Sequence, residues 1–259
     1  MRRITASSII ALATTLGCAS YTTPGGRADF RSMGMGAGGT GEPLTAAAPP
    51  SRDSVIESGF AKHPAARWPA SVAVVRVQAT GYRSPTAQTY GGGAYCVVTA
   101  RDVEPAGTIE SLAALPMLRG VAPLGRLLLP AQLQTDYDLR KAAADLHADM
   151  LLIYTFDTTF NQEDDSTPLN LVTLGITPTQ QTRITSTASA VLVDTRTGFV
   201  YGLADGQASF HARQNAWVTP AAIDNDRRKV EAEAFGKMVE NVKATWANVV
   251  REHAGPVPG

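Results

Sequence analysis

The pattern of apolar and polar residues between positions 70 and 253 predicts a single α/β domain. Residues 71–78 are rich in β-branched side chains and alternate in polarity at their end, which indicates a strand. Residues 95–99 predict a second, short strand that is entered through a glycine triplet. Residues 124–129 are apolar enough for a buried strand ending at Pro130, and Thr108 is a candidate N-cap for a helix before it.

Residues 135–146 predict an amphipathic helix that leads directly into an apolar strand. Thr135 and Asp138 have the spacing of a capping box. The apolar residues of this segment recur on one helical face: Leu139, Ala142, Ala143 and Leu146. The continuous apolar run at 150–156 follows at once, an arrangement typical of a β-α-β crossover onto a parallel sheet.

The C-terminal third predicts an antiparallel hairpin and a closing helix. Residues 184–193 and 199–210 are extended runs joined by a polar turn that contains Gly198. Thr219 and Pro220 begin a helix that continues to about residue 252. One stripe of this helix is apolar, and its charged neighbours, Arg227 and Glu231 among them, are expected on a solvated flank.

The segment between the apolar strand and the hairpin, residues 161–181, is polar at both ends and predicts a long loop. An extra strand in the middle of this segment, at 169–176, is an open alternative. The fold class predicted for the chain is therefore α/β: one domain with a mixed sheet, one parallel β-α-β crossover, a C-terminal antiparallel hairpin and a long C-terminal helix.

The first 69 residues predict export and a tether rather than a fold. Residues 1–17 combine a basic start, a short apolar stretch and small residues at the end, as in a secretory signal peptide. Residues 18–69 are rich in Gly, Pro, Ala, Ser and Thr without periodicity, which predicts a flexible tether. The formal dinucleotide fingerprint that begins at Gly34 lacks a flanking strand and helix, so it is interpreted as part of this tether.

The run Thr15-Leu16-Gly17-Cys18 resembles the lipobox of bacterial lipoproteins, although Thr15 stands where that family usually has Leu. The resemblance implies cleavage before Cys18, acylation of Cys18 with chains such as palmitate, and attachment to a membrane. Ala19 resembles the signal that sorts such proteins to the outer membrane, which implies the periplasmic face of that membrane. The alternative is an ordinary signal peptide cleaved after Ala19 or Ser20.

Composition limits the partners and the chemistry. The chain has 23 basic and 23 acidic residues among 259, and this zero formal charge argues against nucleic acid as the main partner. The two cysteines exclude a disulfide-stapled scaffold. None of the four histidines has metal-ligand spacing with another His or Cys, so neither a metal nor another cofactor is expected.

Three runs, at 109–116 (IESLAALP), 127–130 (LLLP) and 143–152 (AADLHADMLL), resemble uncharacterised bacterial envelope lipoproteins. The passage from helix through Ala-Asp to apolar strand is also similar to the amino-terminal domain of TolB and to curli-secretion-type lipoproteins. The resemblance implies a small α/β domain used for assembly rather than catalysis.

Two classes of function stay open. The first is a non-enzymatic envelope lipoprotein that presents a binding or scaffolding domain to an envelope protein partner. The second is a periplasmic enzyme whose dispersed site would join Cys96, His147 or His211, although a buried free thiol is the expected state of Cys96. An oligomeric secretion component is a further alternative.

Overall fold

The computed structural model describes residues 23–30, 33–34, 52–164, 180–214 and 219–255. Its helices are α1 (Arg52–Phe60), α2 (Asp136–Asp145) and α3 (Pro220–His253). Its strands are β1 (Ala70–Ala79), β2 (Gln88–Tyr90), β3 (Gly92–Gly93), β4 (Tyr95–Ala100), β5 (Leu118–Pro123), β6 (Gln132–Leu133), β7 (Met150–Asp164), β8 (Gln180–Asp194) and β9 (Val200–Gln214).

The main sheet is mixed and is built around β1. Its strand order is β2-β4-β1-β7-β8-β9, and β5 also pairs with β1. The strands β5 and β7 both run parallel to β1, and α2 connects them, which confirms the predicted parallel crossover. The antiparallel pairing of β8 with β9 confirms the predicted hairpin. The short strands β3 and β6 form a separate pair.

Each face of the sheet packs against a different helix. The helix α3 places Phe235, Met238 and Trp246 in one apolar core with residues of β1, β7, β8 and β9. The helix α2 packs Leu139, Ala142 and Ala143 against the opposite face, beside Val75 and Ile153. Burial of apolar side chains on both faces explains why the central strands are continuous apolar runs in the sequence.

Local capping fixes the residues at which α2 and α3 begin, and both helices begin where the sequence predicts. The Asp138 carboxylate accepts a hydrogen bond from the Thr135 amide at 3.1 Å, as in a capping box. At the start of α3 the Thr219 hydroxyl accepts from the Ala222 amide at 3.3 Å. The long C-terminal helix is thereby confirmed.

Two predictions between positions 108 and 129 were wrong. The strand of this region is β5, and residues 124–129 follow it as a turn in which Leu127 is 91% exposed. The helix expected after Thr108 is only a short 3₁₀ helix, Glu110–Ala114. The apolar run at 124–129 leaves the sheet because the β1–β5 pairing ends at Val74 and Pro123.

The strands β7, β8 and β9 are longer than the apolar pattern indicates. Both ends of the predicted loop at 161–181 are strand, since β7 continues to Asp164 and β8 begins at Gln180. Beyond Phe156 the side opposite α3 carries exposed or half-buried polar residues such as Thr159 and Thr187, so the sequence there looks like a loop. The predicted extra strand at 169–176 lies outside the described residues.

Short stretches of the predicted tether contact the domain. The Ala28 amide donates to the Thr155 hydroxyl at 3.1 Å, and the Ala79 amide donates to the Gly26 carbonyl at 3.2 Å. Ala28 and Met33 are buried in the core that α2 covers. Within the described part of the chain, no helix has the length and apolar character needed to cross a membrane.

Candidate functional site

A cavity of about 440 Å³ opens where β4 and β5 diverge from the same edge of β1. The pairing of β5 with β1 ends at Val74, and the pairing of β4 with β1 begins at Arg76. The resulting gap, here called the sheet cleft, is lined by β1, by the end of β4 and by the loop after β5. Its cationic lining residues are Arg76, Arg101 and Arg126.

Arg76 is the buried cation of the sheet cleft. Its side chain is fully buried, and its guanidinium carbon lies 4.6 Å from the centre of the Phe156 ring. Nη1 donates to Asp102 at 3.1 Å and Nη2 donates to the Tyr82 hydroxyl at 2.9 Å. Within the part of the chain that the structure describes, the buried Nε has no hydrogen-bond partner. Such an unsatisfied buried donor costs about 1–3 kcal/mol.

A buried ion-pair network lies behind Arg76 and connects the sheet to α3. Asp102 contacts Arg76 and also Arg227 of α3, in each case at 3.1 Å. Arg227 further contacts Asp224 at 3.0 Å and Glu231 at 2.6 Å. Because these side chains are almost fully buried, the network fixes the N-terminal part of α3 against the loop that follows β4.

Two carboxyl groups of the network have pKa values that are shifted in opposite directions. Burial alone would raise the pKa of Asp102, but a hydrogen bond from Thr86 and the charges of Arg76 and Arg227 hold that pKa below its ordinary value. Burial raises the pKa of Glu231 and outweighs the opposing charges of the two arginines. Glu231 therefore differs from Asp102 because burial, rather than the neighbouring guanidinium groups, decides the direction of its pKa.

The mouth of the sheet cleft is positively charged. Arg101 and Arg126 are both exposed and lie on different loops, one after β4 and one after β5. Because Asp102 and Glu104 contact Arg76 at the inner end, the mouth arginines keep most of their charge available to a ligand. The arrangement suits a carboxylate or another anion that enters between the two loops.

Cys96, His147 and His211, the described residues that the sequence offers as site candidates, do not line the sheet cleft. Cys18 lies outside the described residues. Cys96 is buried on β4, where its thiol donates to the Ala79 carbonyl at 3.4 Å. Burial raises the pKa of this thiol against the opposing charge of Arg76, so the thiolate is disfavoured.

Cys96, His147 and His211 are not brought together. Cys96 contacts the end of β1 near Gln78, whereas the His147 carbonyl accepts a hydrogen bond from Ser71 at its start. The span from Ser71 to Gln78 is roughly 23 Å at about 3.3 Å per residue. His211 lies on β9 across β8 from Asn161, roughly 36 Å along β7 from Met150.

Sequence reasoning missed the charged residues of the network. Arg227 and Glu231 were expected on a solvated flank of α3, and that expectation was wrong because both are buried. The one available signal was Arg76, a charged residue inside the apolar run of β1. A charge in a strand buried on both faces needs a partner, but the sequence does not say which. Among the described residues, no cluster of three or more His, Cys, Asp or Glu is arranged to hold a metal ion.

No protein-family model and no curated protein matches this chain. Among solved structures, a PelC variant from Paraburkholderia phytofirmans, described as a dodecamer, is 12% identical with a TM-score of 0.25 and is matched over 66% of this chain and 92% of its own. Lipoprotein GNA1162 from Neisseria meningitidis is 13% identical with a TM-score of 0.27, and the match covers 61% of this chain and 94% of GNA1162. Protein XCC0632 from Xanthomonas campestris, of family DUF330, is 10% identical with a TM-score of 0.29, and the match covers 73% of this chain and 91% of XCC0632. At these scores no residue role or assembly is transferred to this chain.

Proposed function

We propose that this protein is a non-enzymatic lipoprotein of the bacterial envelope whose α/β domain binds an acidic segment of a partner protein in the sheet cleft. The anchor is an acylated Cys18, on the periplasmic face of the outer membrane. The lipobox-like run before Cys18 and the small, polar residues after it support the anchor.

The geometry of the sheet cleft carries the binding part of the proposal. A fully buried arginine with an unsatisfied Nε lies at the inner end, and two exposed arginines lie at the mouth. A carboxylate side chain from a partner would gain the attraction of Arg101 and Arg126 at the mouth and of the buried charge of Arg76 behind them. The cavity of about 440 Å³ has room for a few side chains rather than a whole folded element.

The binding experiment uses the full chain in a non-ionic detergent and a fluorescein-labelled hexaglutamate peptide. Fluorescence anisotropy is expected to show binding that weakens as salt is added, because the attraction is electrostatic. Replacement of the mouth arginines by glutamate (R101E with R126E) is expected to weaken binding by about tenfold or more. The matched control is Arg251→Glu, an exposed arginine in the last turn of α3, which is expected to leave binding unchanged.

Equal affinity of the R101E/R126E variant and the R251E control would count against the sheet cleft as the binding site. The physiological partner is then sought by cross-linking on membranes, comparing the same two variants. A partner recovered with the wild-type chain and with R251E, and lost with R101E/R126E, is the expected result.

The anchoring part is tested separately by substituting Cys18 with Ala. The substituted protein is expected in the soluble periplasmic fraction, with the altered electrophoretic mobility of a chain that lacks acyl groups. Unchanged membrane association together with unchanged mobility would remove the anchor from the proposal and leave the binding site untouched.

A further inference from the structure

A second cavity, of about 220 Å³, lies at the other end of β1, where the α2–β7 connection meets the β8–β9 turn. Its lining includes three arginines from three separate segments, Arg67 before β1, Arg119 on β5 and Arg196 in the β8–β9 turn. His147, Asp149 and Thr195 complete the polar lining. This group of residues is here called the arginine pocket, and it shares no lining residue with the sheet cleft.

Asp149 holds two of the arginines in place. Its buried carboxylate accepts from Arg119 Nη2 at 3.2 Å and from Arg196 Nη1 at 3.1 Å, one on each oxygen. The Ser71 amide donates to the same carboxylate at 3.1 Å. Burial alone would raise the pKa of Asp149, but the bonds from Ser71 and Arg196 lower it, so the carboxylate stays ionised. The two guanidinium groups are therefore positioned beside one cavity before any ligand arrives.

Positive charge dominates the arginine pocket. Three guanidinium groups face one carboxylate among its lining residues. The C-terminal end of α2 also points here, but a helix end contributes only about half a negative charge. Arg119 and Arg196 keep 61% and 43% of their side-chain surface exposed, so they can still contact a ligand.

Thr195 supplies an independent indication of a ligand. The residue is 5% exposed and lines the pocket, and its amide donates to the Asp149 carbonyl at 3.1 Å. Its buried hydroxyl has no hydrogen-bond partner in the described part of the chain. A buried hydroxyl without a partner costs about 1–3 kcal/mol unless another group accepts a hydrogen bond from it.

These observations together fit one ligand chemistry. Guanidinium groups match the paired oxygens of a phosphate in a bidentate fork, and several of them around one small cavity suit a tetrahedral dianion. The Thr195 hydroxyl would donate to one phosphate oxygen. We propose that the arginine pocket binds a phosphoryl group, carried by a lipid headgroup or by a small soluble phosphate.

The test is isothermal titration calorimetry with the full chain in a non-ionic detergent and a phosphate-free buffer. The three probes are inorganic phosphate, glycerol 3-phosphate and dihexanoyl phosphatidic acid. Removal of two cations (R119Q with R196Q) is expected to weaken binding of the probes by about tenfold or more. Arg251→Gln, a surface arginine at the end of α3, is the control and is expected to bind like the wild type.

Thr195→Val keeps the test decisive if loss of the arginines disturbs the fold. Valine has the shape of threonine without the hydroxyl, and that hydroxyl makes no described bond in the free protein. The variant is expected to unfold at the same urea concentration as the wild type or a higher one, and to bind the probes about threefold to tenfold more weakly.

The probes separate the two sources of the phosphoryl group. Affinity for phosphatidic acid at least about tenfold above that for inorganic phosphate indicates a lipid headgroup, whereas equal affinities indicate a soluble phosphate. Failure of all three probes to bind the wild type, or equal binding by the wild type, R119Q/R196Q and Thr195→Val, overturns the proposal. Neither result bears on the sheet cleft, since the two sites have separate linings.

Discussion

Arg227 and Asp102 are 125 residues apart in sequence and form a buried ion pair, with Arg227 Nη2 3.1 Å from Asp102 Oδ2. Arg227 lies in the second turn of α3, and Asp102 lies two residues after β4. Asp102 contacts Arg76 with its other oxygen. This carboxylate therefore joins the closing helix to the arginine at the inner end of the sheet cleft.

Replacement of Arg227 by Ala is expected to lower the free energy of unfolding by about 3–5 kcal/mol, because it leaves three buried carboxylates without their shared partner. Urea unfolding followed by circular dichroism measures the change. Lys229→Ala is the matched control, since Lys229 is 65% exposed and its pair with Asp226 is worth less than about 1 kcal/mol. Similar losses in both variants would show that the buried network does not hold α3.

A close approach between α3 and β9 supplies a second prediction. A β-carbon on Gly206 would overlap the Ala234 carbonyl oxygen and the Met238 amide nitrogen, both of which are backbone atoms. Gly206→Ala is therefore expected to destabilise the protein by about 2–4 kcal/mol in urea unfolding.

Gly206 lies on β9, and its control is Gly236, a glycine on α3. A β-carbon on Gly236 meets nothing within 4 Å, and the residue lies in the helix interior. Gly236→Ala is expected to stabilise the protein by about 0.5–1 kcal/mol, because alanine is the better helix former. A Gly206→Ala variant that is as stable as the wild type or more stable would contradict the packing of α3 on β9.

The opposite pKa shifts of Asp102 and Glu231 predict a specific dependence of stability on pH. A lowered pKa, as for Asp102 and Asp149, gives stability that is lost as pH falls below about 4. A raised pKa, as for Glu231, means that the folded state binds more protons, so stability is lost as pH rises above the ordinary carboxyl value of 4.5. The contribution of Glu231 to wild-type stability is therefore expected to fall as pH rises from mildly acidic toward neutral values.

Glu231→Gln isolates this effect, because glutamine keeps the side-chain shape and cannot ionise. Its free energy of unfolding relative to the wild type is expected to rise as pH increases above the ordinary carboxyl value of 4.5. Glu233→Gln, at a neighbouring position whose side chain is 59% exposed, is the matched control for loss of a carboxylate from the same helix. A difference between Glu231→Gln and the wild type that stays constant with pH would show that Glu231 is ionised throughout.

The sequence predicted the elements whose formation depends on local interactions. The capping pair of Thr135 and Asp138 lies within one helical turn, and the apolar run directly after this helix indicates a buried strand. The burial of Arg227 was not predictable in this way, because its partner Asp102 is distant in sequence and the same helix carries exposed charges at similar spacing.

The candidate sites were harder to predict than the fold for the same reason. The sheet cleft exists because two strands leave one edge of β1 at adjacent positions, Val74 and Arg76. Its arginines and those of the arginine pocket come from segments that no local pattern connects. Only the charged residue inside an apolar strand, Arg76, marked one of these places in the sequence.

His147 occupies a backbone position that usually belongs to glycine, and this gives a last prediction. The His147 amide donates to the Ala144 carbonyl at 2.8 Å and the Ala148 amide to the Ala143 carbonyl at 2.9 Å, the two bonds of a Schellman motif at the end of α2. The φ angle of His147 is 55°, in the left-handed region. His147→Gly is expected to raise the free energy of unfolding by about 1 kcal/mol, since glycine adopts this conformation without a steric cost. His147→Ala keeps the β-carbon and should bring no gain, so equal stability of the two variants in urea unfolding would contradict the left-handed conformation.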